Sequence, residues 1–260
     1  MNIWGSALLC LLLSAATAGA ASQQDDEFTR RLRQVLKKHP EIVLDILREH
    51  SESVLDIAQQ GSHIRRKKNM ETQWQEELRQ PKSVRMADRP VLGPANAPVT
   101  VIAFSDFTCQ FCQQAATVLE RIMQARPQDV KFIFKHMPYG KDSPARLAAE
   151  YFVAASLQNE RAPWLLYKSF FAEPGKLSAE AQAFAAKAAE QAGLDMKRLT
   201  ADLKAKRVSA IIEEDLEDAK KLNVEGTPFF LVNNLTVRGA VSYDIFNAAV
   251  DLALANSKKK

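Results

Sequence analysis

The sequence predicts an α/β fold, and three features of its pattern lead to this prediction. Residues 99–104 form an apolar, β-branched run that is typical of a buried strand. A helical pattern follows, and residues 130–134 fit a second strand, so the segment is a β-α-β unit. Further along the chain, a long stretch with helical periodicity precedes two short apolar runs that fit a pair of strands.

The connection between the first strand and the next helix carries the most informative motif, which is Cys109-Gln110-Phe111-Cys112. Two thiols separated by two residues at the start of a helix can close a small reversible disulfide. The helix N-terminus stabilises the thiolate of the first cysteine. In α/β folds, chemistry gathers at the carboxyl edge of the strands, where this motif lies. The motif predicts thiol–disulfide exchange that needs no cofactor.

Two other interpretations of this motif have to be weighed. A Cys-x-x-Cys pair can be half of a zinc site, which needs a second pair of ligands at suitable spacing. The third cysteine, Cys10, lies in an apolar leader, and the histidines are scattered along the chain: His39, His50, His63 and His136. We therefore predict no metal site. A static structural disulfide is the remaining alternative interpretation of the motif.

The helix after Cys112 is predicted from an apolar stripe that ends near Arg126. The stripe has the spacing of one helical face, and its members are Ala115, Val118, Leu119 and Ile122. Residues 143–222 are rich in Ala, Leu, Glu and Lys, so several helices are predicted there. Core packing is the expected role of most apolar residues in this stretch, although exposed ones would form a peptide groove: Trp164, Leu165, Phe170 and Phe171.

The second half of the predicted site is the sequence Gly226-Thr227-Pro228, directly before an apolar run at 229–232. A proline cannot donate to a strand ladder, so a tight turn is predicted, with either a cis bond or the commoner trans bond. Asn233-Asn234 fits a two-residue hairpin turn, and residues 242–256 fit a closing amphipathic helix.

These motifs together resemble the DsbA-like branch of the thioredoxin superfamily. The resemblance begins near Pro90 and runs to the last helix, and it depends on the segment 97–112 and on the later Gly-Thr-Pro. It implies a thioredoxin fold with an inserted helical domain at about 143–222. It also implies that Cys109 is the nucleophile, that Cys112 resolves the mixed disulfide, and that Pro228 is cis and lies beside them, with Thr227 before it.

The sequence departs from related enzymes at two places. Thioredoxin and DsbA carry a buried acid on the strand where this chain has Ala103, so any proton-transfer help must come from elsewhere. Asp106 is the nearest candidate, and a turn-capping role for it is the alternative. The dipeptide Gln110-Phe111 offers neither the proline nor the histidine of DsbA.

The start of the chain predicts export. Residues 3–16 are almost wholly apolar, and small residues around Ala21 offer cleavage sites, so residues 1–21 fit a signal peptide. The leader has no Lys or Arg near its start, and an uncleaved anchor stays open. We expect a periplasmic protein, because a catalytic disulfide persists in an oxidising compartment. The net charge of +4 gives no reason to expect binding to nucleic acid.

Residues 22–61 are predicted to be an N-terminal helical oligomerisation region. They carry more apolar residues than short helices can bury alone, among them Phe28, Leu32, Val35, Ile42 and Ile46. These residues must pack on the catalytic domain or on other copies of the chain, and we expect a homodimer or homotrimer. A charged helical linker is predicted at 62–90, followed by the DsbA-like domain at 91–257.

N-terminal helical extensions on DsbA-like domains resemble those of the oligomeric, disulfide-shuffling members, including the ScsC-like proteins. The resemblance implies a thiol–disulfide oxidoreductase that acts on proteins with cysteines and is recycled by a membrane redox partner. Isomerisation or reduction of wrong disulfides is the favoured activity. A DsbA-like oxidase is the alternative, and a Cu(I)-binding dithiol module is a third interpretation from a different class.

Overall fold

The computed structural model describes residues 27–258 and divides into two compact units, with the boundary between Arg66 and Lys67. The predicted signal peptide, residues 1–21, lies outside the described residues. No helix within the described range is both long enough and apolar enough to cross a membrane.

The described part of the first unit is helical. Helix α1 covers residues 27–38, α2 is Pro40–Glu49, and α3, Ser51–Glu77, begins in this unit and ends in the second. Pro40 occupies the first turn of α2, where its missing N–H has no partner to lose. No residue of α2 is buried. Large apolar side chains are exposed on all three helices of this unit, including Phe28, Val35, Ile42, Leu44, Ile46, Leu47, Leu55, Ile57 and Ile64.

The second unit is built on a five-stranded sheet with the order β1-β3-β2-β4-β5. Its strands are β1 Val91–Leu92, β2 Val99–Ser105, β3 Val130–His136, β4 Phe229–Val232 and β5 Leu235–Arg238. The two strands predicted from apolar runs, β2 and β3, are parallel neighbours at the centre, with Val99 opposite Val130. Both are buried at almost every position, which explains why their sequences are continuously apolar.

Helices cover the sheet, and most of them belong to the predicted insertion. The helices in order are α4 Gln110–Ala125, α5 Pro144–Ser156, α6 Ala162–Ala172, α7 Pro174–Ala179, α8 Ala181–Gln191, α9 Met196–Asp202, α10 Lys206–Lys221 and α11 Tyr243–Ser257. Helices α5 to α10 lie between β3 and β4 in the chain, so the prediction of a thioredoxin fold with an inserted helical domain is confirmed. The closing helix α11 begins one residue later than predicted, because Ser242 takes the N-cap position.

An aromatic cluster joins the insertion to the sheet. The Phe107 ring stacks on Phe134 of β3, with 4.7 Å between ring centroids, and it meets Phe171 of α6 at 5.1 Å. Trp164 and Phe170 are buried in the same core, which confirms the packing role expected for them. The segment that precedes Cys109 is therefore held in place by aromatic contacts between Phe107 and the helical insertion.

The last turns of α3 pack on the sheet. Trp74 has no exposed surface, and its Nε1 donates to the carbonyl oxygen of Thr236 at 2.7 Å. The Glu77 carboxylate accepts the backbone N–H of Thr236 at 2.7 Å. This part of the predicted linker at 62–90 thus belongs to the second unit, which it contacts through the buried Trp74 and through Glu77.

Candidate dithiol site

Cys109 lies at the end of the connection between β2 and α4, and local hydrogen bonds fix its backbone conformation. It is the N-cap of α4, with an extended backbone (φ −81°, ψ 121°). Its N–H donates to the Asp106 carbonyl at 3.2 Å, and its own carbonyl accepts the N–H of Gln113 at 3.1 Å. Cys109 therefore stands at the N-terminus of α4, where the first backbone N–H groups have no partner within the helix.

The two thiols differ sharply in their surroundings. Cys109 and Cys112 are both free in this structure, but Cys109 is partly exposed and Cys112 retains 1% of its surface. Burial raises the pKa of Cys112 to about 12, because the charged thiolate loses its hydration. Hydrogen bonding from the Ser105 and Thr227 side chains and from the Asp106 backbone opposes this effect in part. One thiol is thus accessible, and the other is shielded and protonated.

The structure brings the Gly-Thr-Pro segment to the dithiol. The Thr227–Pro228 peptide bond is cis. The Cys109 Sγ lies 3.8 Å from the carbonyl oxygen of Thr227, which accepts its hydrogen bond. This proximity follows from the sheet, because β4 begins at Phe229 and pairs with the end of β2, with Phe104 opposite Phe229. Thr227 therefore contacts one sulfur through its carbonyl and the other through its side chain.

Asp106 is buried beneath the loop that carries the cysteines. Its Oδ1 accepts both the N–H and the hydroxyl of Thr108 at 2.7 Å, and its Oδ2 accepts the N–H of Tyr139 at 2.9 Å. These contacts describe the turn-capping role. Among the described hydrogen bonds, none joins the carboxylate to either thiol. The carboxylate ties the loop after β3 to the loop before the dithiol.

The dipeptide between the cysteines points outward. Gln110 and Phe111 are both exposed, and 59% of Phe111 is accessible. Neither side chain supplies a charge beside Cys109. An exposed aromatic ring next to a nucleophile is available to a bound partner.

Two nearby polar residues were missed in the sequence analysis as parts of the site. Ser105 is the last residue of β2, and it lies on the same side of the strand as Ala103, facing α4 and Cys112. Its register partner His136 is 2% exposed, with no hydrogen-bond partner for Nδ1. Burial lowers the pKa of His136 to about 4. The alternation of side chains along β2 could have indicated that Ser105 lies on the same side as Ala103. No sequence signal indicated His136, because it ends a strand whose apolar run stops at Phe134.

Across residues 27–258, no group of three or more His, Cys, Asp or Glu side chains is arranged to hold a metal ion. The chemistry that the arrangement supports is carried by the sulfur atoms: an accessible Cys109, a shielded Cys112 within one helical turn, and a carbonyl acceptor in front of them.

The chain is similar to known proteins of the thioredoxin type. A family model described as thioredoxin matches residues 86–252. A solved thioredoxin-like oxidoreductase from Silicibacter pomeroyi DSS-3 is 29% identical, with a TM-score of 0.58 over 64% of this chain and 92% of that chain. Proteus mirabilis ScsC shares the fold at 20% identity, with a TM-score of 0.56 over 90% of this chain and 98% of that chain.

The curated relatives that match the chain include proteins of two kinds. A probable disulfide bond formation protein D from Bacillus anthracis is 28% identical over 171 residues, which are 63% of this chain and 77% of that protein. The Na(+)/H(+) antiporter NhaA 1 of Salinispora arenicola is 32% identical over 170 residues, 65% of this chain but 25% of the antiporter. The chain thus spans about a quarter of the length of the first curated relatives that it matches. The family model covers more than half of the chain, which belongs to the thioredoxin family and has the fold of its DsbA-like members.

Proposed function

We propose that this chain is an exported protein thiol–disulfide oxidoreductase that isomerises or reduces wrong disulfides in other proteins. The observation that carries the proposal is the position of the Cys109 sulfur, at a helix N-terminus and 3.8 Å from the Thr227 carbonyl, one turn from the buried thiol of Cys112. A static structural disulfide needs neither an accessible sulfur nor an open acceptor beside it.

The reaction begins with the Cys109 thiolate. It attacks one sulfur of a client disulfide, so the client S–S bond breaks, a Cys109–client disulfide forms, and the second client sulfur leaves as a thiolate that takes up a proton. An extended client segment can lie beside Thr227, in the manner of a strand added to a sheet edge. The intermediate then has two outcomes, which differ in electron count.

Reduction and isomerisation differ in which thiol attacks the mixed disulfide. If Cys112 loses its proton and attacks Cys109 Sγ, the enzyme disulfide forms, and the client leaves with two thiols, reduced by two electrons. If a client thiol attacks instead, a new client disulfide forms and Cys109 is released, with no net oxidation or reduction. Because burial holds the pKa of Cys112 far above 7, only a very small fraction of molecules carries the Cys112 thiolate at neutral pH. Slow resolution gives the client time to rearrange, which supports isomerisation.

The proposal includes self-association through the first unit, as a dimer or trimer. Its support is the set of exposed apolar side chains on α1, α2 and α3, since soluble monomers rarely expose so many together. Several dithiols in one assembly raise the effective concentration of thiols around a held client. We also place the reaction in the periplasm, where a membrane redox partner returns the dithiol to its working state. The apolar leader supports this location.

The activity is tested with scrambled ribonuclease and with insulin. The reduced protein should restore ribonuclease activity, and it should precipitate insulin chains in the presence of a thiol reductant. Cys109→Ser should abolish both reactions. Restoration of scrambled ribonuclease by Cys109→Ser at the rate of the unmodified protein would refute the assignment.

The oxidase alternative is separated by the reduction potential of the Cys109–Cys112 pair. Equilibration with glutathione distinguishes a strong oxidant near −120 mV from a reductant or isomerase at roughly −200 mV or lower. A potential at the oxidising end, with rapid oxidation of reduced ribonuclease, would replace the isomerase proposal by the oxidase.

A further inference from the structure

Resolution of the mixed disulfide needs a group that takes the proton of Cys112. The attacking species is the thiolate, and the Cys112 thiol is shielded from water. The Asp106 carboxylate is already bonded to Thr108 and to the N–H of Tyr139. Among the described hydrogen bonds, none joins this carboxylate to Cys112. The proton acceptor is therefore another group on the same side of the sheet.

Ser105 connects Cys112 to the neighbouring strand. Its side chain forms a hydrogen bond with Cys112. Ser105 and His136 are paired in the register of β2 and β3, and the N–H of Met137 donates to the Ser105 carbonyl at 2.9 Å. Neighbouring strands lie about 4.8 Å apart, and paired residues of parallel strands point to the same face. The imidazole of His136 is therefore the next side chain after Ser105 on the Cys112 side.

The contacts of the His136 ring show that it lies on this side. The ring centroid is 5.1 Å from that of Phe134 and 5.1 Å from that of Phe152. Both phenylalanines belong to the same buried core as Cys112. His136 is 2% exposed, and within the described part of the chain its Nδ1 has no hydrogen-bond partner. Buried polar atoms without a partner are uncommon, and a role in chemistry is one cause of them.

We propose that His136 takes up the proton of Cys112, through the Ser105 hydroxyl, when Cys112 resolves the mixed disulfide. The inference rests on the proposed dithiol reaction and names the group that completes its second step. A neutral imidazole with its proton on Nε2 has a free lone pair on Nδ1, so it accepts a proton there. His136 acts through Ser105 and touches neither reacting sulfur.

The atoms and electrons of this step balance. The Cys112 proton moves to the Ser105 oxygen as the Ser105 hydroxyl proton moves to Nδ1 of His136. The Cys112 sulfur bonds to Cys109 Sγ, and the bond between Cys109 and the client breaks. The client sulfur leaves as a thiolate, which takes a proton from solvent, so the client gains two electrons and the enzyme loses two.

The charges around the imidazole make it a base only while the thiolate exists. Burial lowers the pKa of His136 to about 4. Asp215 of α10 raises this pKa, and three cations lower it: Arg89 before β1, Lys135 of β3 and Arg146 of α5. A thiolate that forms on the same face of the sheet raises it again. Once the enzyme disulfide has formed, that negative charge is gone, and the imidazolium returns its proton to solvent.

This route predicts a plateau in the pH profile of adduct decay. Attack by Cys112 thiolate that has already lost its proton to solvent slows about tenfold for each pH unit of acidification. Proton transfer inside the protein does not depend on pH while His136 is neutral, which holds down to a pH of about 4. Decay should therefore be nearly independent of pH between about pH 5 and 6.

The test uses the full chain, reduced and mixed in a stopped-flow with an excess of the disulfide of thionitrobenzoate. Cys109 releases one coloured thionitrobenzoate anion as the mixed disulfide forms, and Cys112 releases a second as it resolves this disulfide. For the unmodified protein, the rate of the second release should change less than about twofold between pH 5 and 6. In His136→Phe the first release should be unchanged, and the second should be about tenfold or more slower at pH 5.

Two further variants and a control separate this role from a structural defect. His136→Gln keeps a polar side chain that takes up no proton, so it should lose the plateau as His136→Phe does. Circular dichroism establishes which of the two is folded. Ser105→Ala should also lose the plateau, and combining it with His136→Phe should cause no further loss, because both residues serve one route. His50→Phe replaces an exposed histidine of the first unit and should keep the plateau.

The outcomes distinguish this inference from the proposed function. If the unmodified protein gives no first release, the dithiol reaction itself fails. If both releases occur and the folded His136 variants keep the plateau, or if the unmodified protein has none, only the role of His136 fails. Nitrogen NMR of the imidazole is a readout that needs no turnover. A proton bound to Nδ1 of His136 in the reduced protein at neutral pH would overturn the proposal, and a proton on Nε2 alone would support it.

Discussion

Lys135 and Asp215 form an ion pair with 2.7 Å between Nζ and Oδ1, and neither side chain has any exposed surface. The Lys135 ammonium also reaches Asp218 at 2.8 Å. Arg89, which precedes β1, binds the same Asp215 oxygen at 2.8 Å, and the second oxygen accepts the N–H of His136 at 2.8 Å. One buried network thus joins β3, α10 and the segment before β1.

The first prediction is that Lys135→Met strongly destabilises the protein. The substitution leaves two buried carboxylates with too little positive charge, and breaking a buried pair from one side costs about 3–5 kcal/mol. Urea unfolding measures the change in the free energy of unfolding. The matched control is Lys176→Met, since Lys176 pairs with Glu173 in an exposed contact and should cost less than about 1 kcal/mol. Equal effects of the two substitutions would contradict the role of the network.

The second prediction concerns stability in acid. His136 has a pKa of about 4 in the folded state, below its ordinary value of 6.5, because burial disfavours the imidazolium. The charged groups that act on it are Asp215, Arg89, Lys135 and Arg146. Between pH 6.5 and 4 the unfolded chain binds a proton that the folded chain does not bind, so stability falls as pH falls. The loss through this residue is about 3 kcal/mol over that window.

His136→Phe isolates this contribution to acid stability. The ring should fit among Phe107, Phe134 and Phe152, and the backbone N–H to Asp215 is kept. Thermal or urea unfolding at pH 7, 6, 5 and 4 should show a shallower decline for the variant than for the unmodified protein. Parallel declines would mean that other groups cause the acid sensitivity.

The third prediction assigns the two thiols. Because Cys109 is accessible and Cys112 is buried, Cys112→Ser should accumulate client adducts joined at Cys109, and Cys109→Ser should form none. Mass spectrometry of trapped adducts identifies the sulfur involved. With both cysteines present, decay of the adduct should accelerate about tenfold per pH unit above pH 7, because the Cys112 thiolate fraction rises in that proportion well below its pKa. Adducts joined at Cys112 would reverse the assignment.

The fourth prediction concerns the hydroxyls around the resolving thiol. Hydrogen bonding from Thr227 and Ser105 lowers the pKa of Cys112, so Thr227→Val and Ser105→Ala should each raise it further and slow the decay of the adduct several-fold. The pH profile of decay is the first measurement, and the pKa of Cys112 read from its thiolate absorbance is the second, because a merely structural defect would slow the decay without raising that pKa. Thr117→Val removes a hydroxyl farther along α4, the helix that carries Cys112, and serves as the control. An unchanged profile in both variants would show that the hydroxyls do not act on Cys112.

Much of the site could be predicted from the local sequence. Its strands are continuous apolar runs, and the cysteine motif and the Gly-Thr-Pro segment lie close to the ends of these runs. The strands β2 and β3, the start of α4 and the 233–234 turn were all predicted close to their observed bounds. The buried network around Lys135 was not predicted. Lys135 ends an apolar run, and in a sequence it suggests a surface position; its partners Asp215 and Asp218 lie far along the chain on α10.

The boundary of the catalytic unit was harder to predict for a related reason. Glu77 and Trp74 lie on a long, charged helix, and such a helix is expected to be exposed. Their partner is the backbone of Thr236, and a main-chain group on a distant strand leaves no pattern in the side chains. Both the buried network and the packing of the long helix depend on contacts between segments that are distant in the chain. No local sequence pattern reveals such contacts.

The last prediction ties the first unit to the type of activity. If the exposed apolar residues of α1 to α3 join copies of the chain, a charge placed among them should separate the copies, since each buried Ile or Leu contributes about 1.5–3 kcal/mol. We expect Ile46→Glu combined with Leu55→Glu to give a monomer by light scattering, with insulin reduction retained and rescue of scrambled ribonuclease largely lost. Met196→Glu alters an exposed apolar residue of the second unit and should leave both properties unchanged. A truncated form that lacks the first unit must begin at Lys67, because Trp74 and Glu77 belong to the second unit. A monomeric unmodified protein, or a monomeric variant that isomerises at the original rate, would separate the helices from isomerisation and favour the oxidase.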